Sequence, residues 1–216
     1  MIVDERITAY INSLEKELPP ILSNIEKTAL VEGVPIIRKE TQNFLRTMLY
    51  MKQPKNILEV GAAVGFSSLF MSEYASSDCR ITTIEKMEGR IKKARDNFKL
   101  ASKEEKITLL EGDAMEILIE LVGQNKSYDF IFMDAAKAQY IYYLPEIIKL
   151  LTKGGLLLTD NVLQDGTVVQ SRFGITRRDR TIHSRMREYL YELTHMEVFE
   201  TSILPIGDGV ALSVKL

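Results

Sequence analysis

Two short stretches place oxygen- and nitrogen-bearing side chains where chemistry could follow. In FMDAAKAQY, Phe132 to Tyr140, an apolar run stops on Asp134, and Lys137 arrives three residues later. In LTDNVL, Leu158 to Leu163, another apolar run stops on Asp160 and Asn161. If the two runs are adjacent parallel strands, they open at one edge of a sheet and three oxygen donors converge there. Oxygen donors without His or Cys suit a hard cation such as Mg²⁺, which keeps positions for water or substrate oxygens. Any one of them alone reads as an N-cap or turn residue; all three at neighbouring strand ends read as a metal site. A divalent cation beside Lys137 disfavours its ammonium, which suits a general base acting on a hydroxyl that the metal polarises. The competing reading is a surface lysine. Tyr140, Tyr142 and Tyr143 read as helix packing, and His183 and His195 as structural.

A second constellation lies upstream. LEVGAAVGFSS, Leu58 to Ser68, has the order strand, glycine turn, helix. Gly61 and Gly65 let a backbone approach a ligand, and the helix start behind them offers free N–H groups. Glu59 stands where a dinucleotide fingerprint has its first glycine. A carboxylate there repels a pyrophosphate and suits a cationic ammonium or sulfonium, which favours S-adenosylmethionine over NAD. Glu85 ends the next apolar run, about 20 residues past the glycines, where an acid can accept ribose hydroxyls. Asp113, in EGDA, occupies the following strand end and could take an adenine amino group. A plain tight turn and an N-cap at Asp113 are the alternatives.

The elements that must position these residues follow from periodicity. Three amphipathic helices are predicted over Asp4 to Leu18, Ile21 to Val31 and Arg38 to Met51, separated by Pro19-Pro20 and by Gly33 to Pro35. From Asn56 the period shortens. Apolar runs at Ile57 to Val60, Ile81 to Ile84, Ile107 to Leu110, Phe130 to Met133 and Leu156 to Thr159 alternate with helical stretches. Those stretches are Ser67 to Tyr74, Glu88 to Leu100, Ala114 to Val122 and Ile141 to Leu151. Such alternation predicts βαβ units around a parallel sheet covered on both faces. A last helix over Arg177 to Leu193 precedes MEVFETSIL and VALSVKL, two strands joined around a Gly-Asp-Gly turn. The expectation is an α/β fold: a seven-stranded, mostly parallel doubly wound sheet with N-terminal helices and a C-terminal antiparallel hairpin. It would form one domain over residues 1–216, with residues 1–53 as a helical cap over the cofactor site.

Composition narrows the classes. At 216 residues, 45% hydrophobic and 27% charged, the chain can bury a full core, and no apolar run is long enough to span a bilayer. The N-terminus lacks the basic and apolar regions of a signal peptide. Cys79 is the only cysteine, so no intrachain disulfide forms and a cytoplasmic location is expected. A formal net charge of −2 argues against a globally basic nucleic-acid binder but leaves room for a local patch. Arg172, Arg177, Arg178, Arg180, Arg185 and Arg187 supply one, with only Asp179 among them, and suggest a phosphate-bearing partner. On a helix some of these arginines fall on different faces, so a solvated helix accounts for part of the cluster.

From about Val34 to Leu216 the sequence resembles the cation-dependent class I O-methyltransferases, the group of the catechol and caffeoyl-CoA enzymes. It is most similar to short bacterial members that methylate 5-hydroxyuridine in tRNA. LEVGAAVGFSS, FMDAAKAQY, LTDNVL and PIGDGVALS match in order and spacing. The resemblance implies that Ile37, Gly61, Ser67, Glu85, Asp113, Ala114 and Asp134 line an S-adenosylmethionine pocket. Asp134, Asp160 and Asn161 would hold the cation, and Lys137 and Asp134 would serve catalysis. A metal that grips two adjacent oxygens selects a catechol; it equally selects 5-hydroxyuridine, whose hydroxyl neighbours a carbonyl. The expected acceptor is wobble 5-hydroxyuridine in tRNA, with a small catechol or caffeoyl-CoA-like molecule as the alternative. A silent cofactor-holding RNA-binding module is the reading from another class. A homodimer completes the expectation.

Overall fold

The computed structural model describes residues 2–216. Five strands run parallel: β1 (Asn56–Val60), β2 (Arg80–Glu85), β3 (Ile107–Glu111), β4 (Tyr128–Met133) and β5 (Leu151–Thr159). β7 (Val210–Lys215) pairs antiparallel with β5, and β6 (Phe199–Leu204) pairs antiparallel with β7. The seven-stranded order is β3-β2-β1-β4-β5-β7-β6. The chain winds outward from β1 in one direction and resumes at β4 in the other. This makes the gap between the β1 and β4 ends the topological switch point, where open α/β sheets bind ligands.

Helices cover both faces because the strands are apolar on both sides. On one face α2 (Pro20–Val31), α3 (Lys39–Lys52), α4 (Phe66–Tyr74) and α5 (Glu88–Leu100) bury Leu45, Phe70 and Phe98 against Ile57, Phe130 and Phe132. On the other, α6 (Ala114–Gly123), α7 (Tyr140–Leu150) and α8 (Arg180–His195) bury Leu118, Leu144 and Tyr189 against Leu58, Ile131 and Met133. Alternate residues of β1 and β4 thus feed separate cores, as period-two side-chain alternation requires.

Local chemistry sets the boundaries. α1 (Glu5–Ser13) is capped by the Asp4 carboxylate, which accepts from the Arg6 N–H, and Pro20 opens α2 at a position where a missing N–H costs nothing. α1 ends five residues before the predicted Leu18 and buries no residue, so its apolar stripe, Ile7, Tyr10, Ile11 and Leu14, is exposed. α8 starts at Arg180, three residues later than its periodicity suggests. Thr176 and Asp179 close a turn by a hydroxyl–carboxylate bond of 2.6 Å and a backbone bond of 2.9 Å, leaving Arg177 and Arg178 in that turn. β5 begins at Leu151 rather than Leu156, carried through Gly154 and Gly155 with a register shift against β4. Among the described residues no helix is long and apolar enough to cross a membrane.

Candidate active site

A cavity of about 700 Å³ opens at the switch point, where the ends of β1, β2, β4 and β5 meet the segment 35–38 and the turn between β6 and β7. Its walls include Ile37, Arg38, Gly61, Ser67, Glu85, Asp113, Ala114, Asp134, Lys137, Asn161 and Asp208. Of the N-terminal region, Pro35 to Arg38 reach this cavity while α1 to α3 stand on the sheet face and beyond it. The volume is that of a pocket for a molecule of cofactor size.

Tight backbone approach shapes the first wall. Gly61 sits at φ +105°, and a Cβ there would lie 2.1 Å from the Asp134 carbonyl oxygen, so only glycine lets β1 and β4 end side by side. The same juncture is tied by the Asp134 N–H donating to Val60 O at 3.0 Å and the Asp160 N–H donating to Met133 O at 3.0 Å. Glu85 is buried and accepts three backbone N–H groups, those of Ala63, Lys86 and Met87, each at 2.9 Å. A carboxylate has about four acceptor sites, so Glu85 retains capacity for a ligand hydroxyl. Asp113 caps α6 through the Met115 N–H at 2.9 Å and also lines the cavity, so cap and wall are one residue.

The second wall is carboxylate-rich. Asp160, at the end of β5, is buried, and burial followed by repulsion from Asp134 pushes its carboxyl up to about 7. Asp134 rises to about 6, chiefly through burial, with Lys137 and Arg90 opposing the shift. Asn161 takes φ +61°, a left-handed conformation that Asn tolerates better than most residues, and lines the same space. Lys137 opens a short 3₁₀ turn, Lys137–Gln139, and its Nζ lies 3.3 Å from Asp208 Oδ2.

The partly buried Asp134 and the buried Asp160 concentrate negative charge at this wall, and the charge of Asp134 raises the proton affinity of Asp160. With the Asn161 carboxamide they make an all-oxygen donor set that fits a hard divalent cation. Among the described residues no group of three or more His, Cys, Asp or Glu is placed to hold a metal ion.

Of the residues singled out by sequence, Ile37, Gly61, Ser67, Glu85, Asp113, Ala114, Asp134, Lys137 and Asn161 line one cavity, and Asp160 is buried next to Asn161, outside that lining. Glu59 does not reach it. β1 alternation turns Glu59 into the core beneath α4, opposite Thr83 in the ladder, where it accepts from the Ser68 and Thr83 hydroxyls. Burial raises its carboxyl to about 7. The direct contact with a cationic cofactor expected of it is therefore replaced by a bond between sheet and helix.

The arginine cluster also divides. Arg180 Nε donates to Ile175 O, Arg185 to Ala138 O and Arg187 to Val168 O, so these three brace the chain. Arg172, Arg177 and Arg178 are exposed, as is Phe173.

Sequence reasoning missed three site residues. Asp208 looked like a turn residue, Arg38 like a helix start, and Tyr140 like packing alone. The buried Tyr140 hydroxyl bridges both metal-proposed strand ends, accepting from the Ala135 N–H at 3.2 Å and donating to Asp160 O at 3.3 Å. The acid between two glycines in PIGDG was the one available signal for Asp208.

The comparisons with known proteins show the family. The family model described as O-methyltransferase matches residues 12–216. Caffeoyl-CoA O-methyltransferase 2 of Populus trichocarpa is 31% identical over 200 residues, covering 89% of this chain and 76% of its own. A Staphylococcus aureus structure, provisionally named a caffeoyl-CoA O-methyltransferase, superposes with a TM-score of 0.89 at 32% identity, covering 99% of this chain and 100% of its own. The fold is also that of a Bacillus cereus O-methyltransferase solved with S-adenosylhomocysteine, with a TM-score of 0.86, 21% identity and 98% and 97% coverage. The chain belongs to the O-methyltransferase family, whose enzymes take their methyl group from S-adenosylmethionine.

Proposed function

We propose that this enzyme methylates one of two adjacent oxygens on an acceptor held by a divalent cation at Asp134, Asp160 and Asn161. The observation that carries the reading is the buried Asp160 carboxyl, raised to about 7 by burial and by the charge of Asp134, next to a cavity that Asp134, itself raised to about 6 chiefly by burial, and Asn161 line. When bound, S-adenosylmethionine supplies an electrophilic methyl, and a divalent cation supplies Lewis-acid polarisation of the acceptor hydroxyl. The protein does the rest. Glu85 and Asp113 accept hydroxyl and amino donors of the adenosyl group, Ile37 and Ala114 exclude water, and Lys137 takes the proton that the acceptor hydroxyl gives up.

The names of the relatives favour a small catechol or caffeoyl-CoA-like acceptor as the first reading. A second, wobble 5-hydroxyuridine in tRNA, is supported by the exposed Arg172, Arg177 and Arg178, within six residues of the 90% exposed Phe173, side chains of the kinds that contact phosphates and stack on bases. The enzyme acts as a cytoplasmic homodimer in this reading, with the exposed apolar face of α1 as the surface that a second copy covers.

The test is a paired assay of methyl transfer to caffeoyl-CoA, to catechol and to tRNA carrying 5-hydroxyuridine, with Mg²⁺ and with excess EDTA. Turnover of at least one acceptor that EDTA abolishes is expected. Full turnover in EDTA would overturn the metal assignment, and the ratio among acceptors chooses between the two readings.

A further inference from the structure

The turn between β6 and β7 holds a group for which the reading above has no use. Asp208 stands between Gly207 at φ +57° and Gly209 at φ +88°, and a Cβ on Gly209 would come within 2.4 Å of Leu163. Backbone bonds from the Leu163 N–H to Asp208 O (3.0 Å) and from the Val162 N–H to Gly209 O (2.9 Å) press this turn onto the segment just after Asn161. The Asp208 side chain is 7% exposed, and both of its oxygens are occupied. Oδ1 accepts from the Asp165 N–H, and Oδ2 lies 3.3 Å from Lys137 Nζ. The Asp165 carboxylate in turn receives Arg38 Nη2 at 3.0 and 3.1 Å.

A lysine side chain has a large rotamer entropy to lose before its amine is held at one point. A buried carboxylate that a backbone N–H prevents from turning can fix that point, and its charge stabilises the ammonium formed when the lysine takes a proton. Histidine bases are oriented by a buried aspartate on the same logic. We infer that Asp208 is the positioning residue of Lys137, holding Nζ toward the acceptor oxygen and tying it to the segment that follows the proposed metal ligands. The inference rests on the reading of Lys137 as the base and assigns that base its partner.

The discriminating experiment is a double-mutant cycle of Lys137→Ala and Asp208→Asn, with single-turnover rates at saturating acceptor and S-adenosylhomocysteine affinity as a check of folding. Asp208→Asn alone should lower the rate by about tenfold or more, while changing the affinity for S-adenosylhomocysteine by less than about threefold. In the Lys137→Ala background the same substitution should change the residual rate by less than about twofold, because the group it positions is gone. An equal loss in both backgrounds, or no loss in the wild type, would show that Asp208 only anchors its turn and would overturn the inference alone. A full rate for Lys137→Ala would instead remove the base assignment and the inference with it. Should Asp208→Asn fail to bind S-adenosylhomocysteine, Asp208→Glu, which keeps the charge but moves it by one methylene, takes its place in the same cycle.

Discussion

At the ends of β2 and β3, Glu85 and Asp113 rest on backbone N–H groups of the loops and helix they join, whereas at the ends of β4 and β5 the buried Asp160 accepts the N–H of its own neighbour Asn161 at 2.8 Å and is still raised by burial and by the charge of Asp134. The first wall is complete as the chain folds it. Glu85 holds the loops after β1 and β2 at 2.9 Å, so its shape is in place before any ligand arrives. The second wall stores repulsion that a cation would relieve. If the proposed roles hold, the difference teaches that this cavity would pre-form its cofactor side and leave its acceptor side to be finished by charge, which would couple acceptor binding to metal binding.

The largest effect should come from breaking the second wall alone. Asp160→Ala should reduce methyl transfer by about a thousandfold, the scale of several kcal/mol of Lewis-acid stabilisation, and leave cofactor affinity within about threefold. Rates and S-adenosylhomocysteine titrations check both. Loss of both properties together would erase the distinction between the walls.

Stability against pH sharpens it next. Glu59 is fully buried and its carboxyl is raised from 4.5 to about 7, so the stability associated with its protonated form is whole below about pH 4.5 and is lost as pH rises through about 7. A shift of that size corresponds to at most about 3 kcal/mol. Glu59→Gln, a neutral mimic of the protonated acid, should flatten the urea-unfolding profile between pH 5 and pH 8. The slope that remains has the same sign and belongs to Asp134 and Asp160. Added Mg²⁺ should therefore stabilise the protein more at pH 8 than at pH 5, by binding the folded state alone. A stabilisation that is equal at the two pH values would count against a cation at the carboxylates.

Breaking the first wall should give a smaller, complementary result. Glu85→Ala strands three backbone N–H groups, and the cofactor Kd should rise by about ten- to hundredfold, as isothermal calorimetry would show. Saturating cofactor should restore most of the rate, which Asp160→Ala does not allow. The smallest effect concerns the rim: Arg178→Ala should leave catechol turnover unchanged. If tRNA is the acceptor, it should also lower the salt slope of binding by about one unit.

Much of this molecule was legible in its residues because the signals are local. Strand–helix alternation required a parallel sheet covered on both faces, Gly61 and Gly65 marked the turn, and strand ends at Glu85, Asp134 and Asp160 could be read from where apolar runs stop. A parallel sheet opens all such ends at one edge, so placing the strands places the acids. Glu59 escaped this logic because one residue of register turns a side chain from the cavity rim to the core face, and the neighbours that accept it, Ser68 and Thr83, lie on other elements. The arginines escaped it because their carbonyl partners at Ala138, Val168 and Ile175 are set by loop paths that carry no periodicity.

By itself, then, the sequence determined the fold class, the edge where chemistry gathers and the residue types present there, since all three follow from hydrophobic period and from short motifs. Only the tertiary structure decided which of those residues meet. Asp208 reaches Lys137 from 71 residues away because β7 inserts between β5 and β6, and Tyr140 joins two strand ends because α7 packs beneath them. Contacts of that kind depend on the pairing order of distant elements, which side-chain periodicity along one chain does not encode.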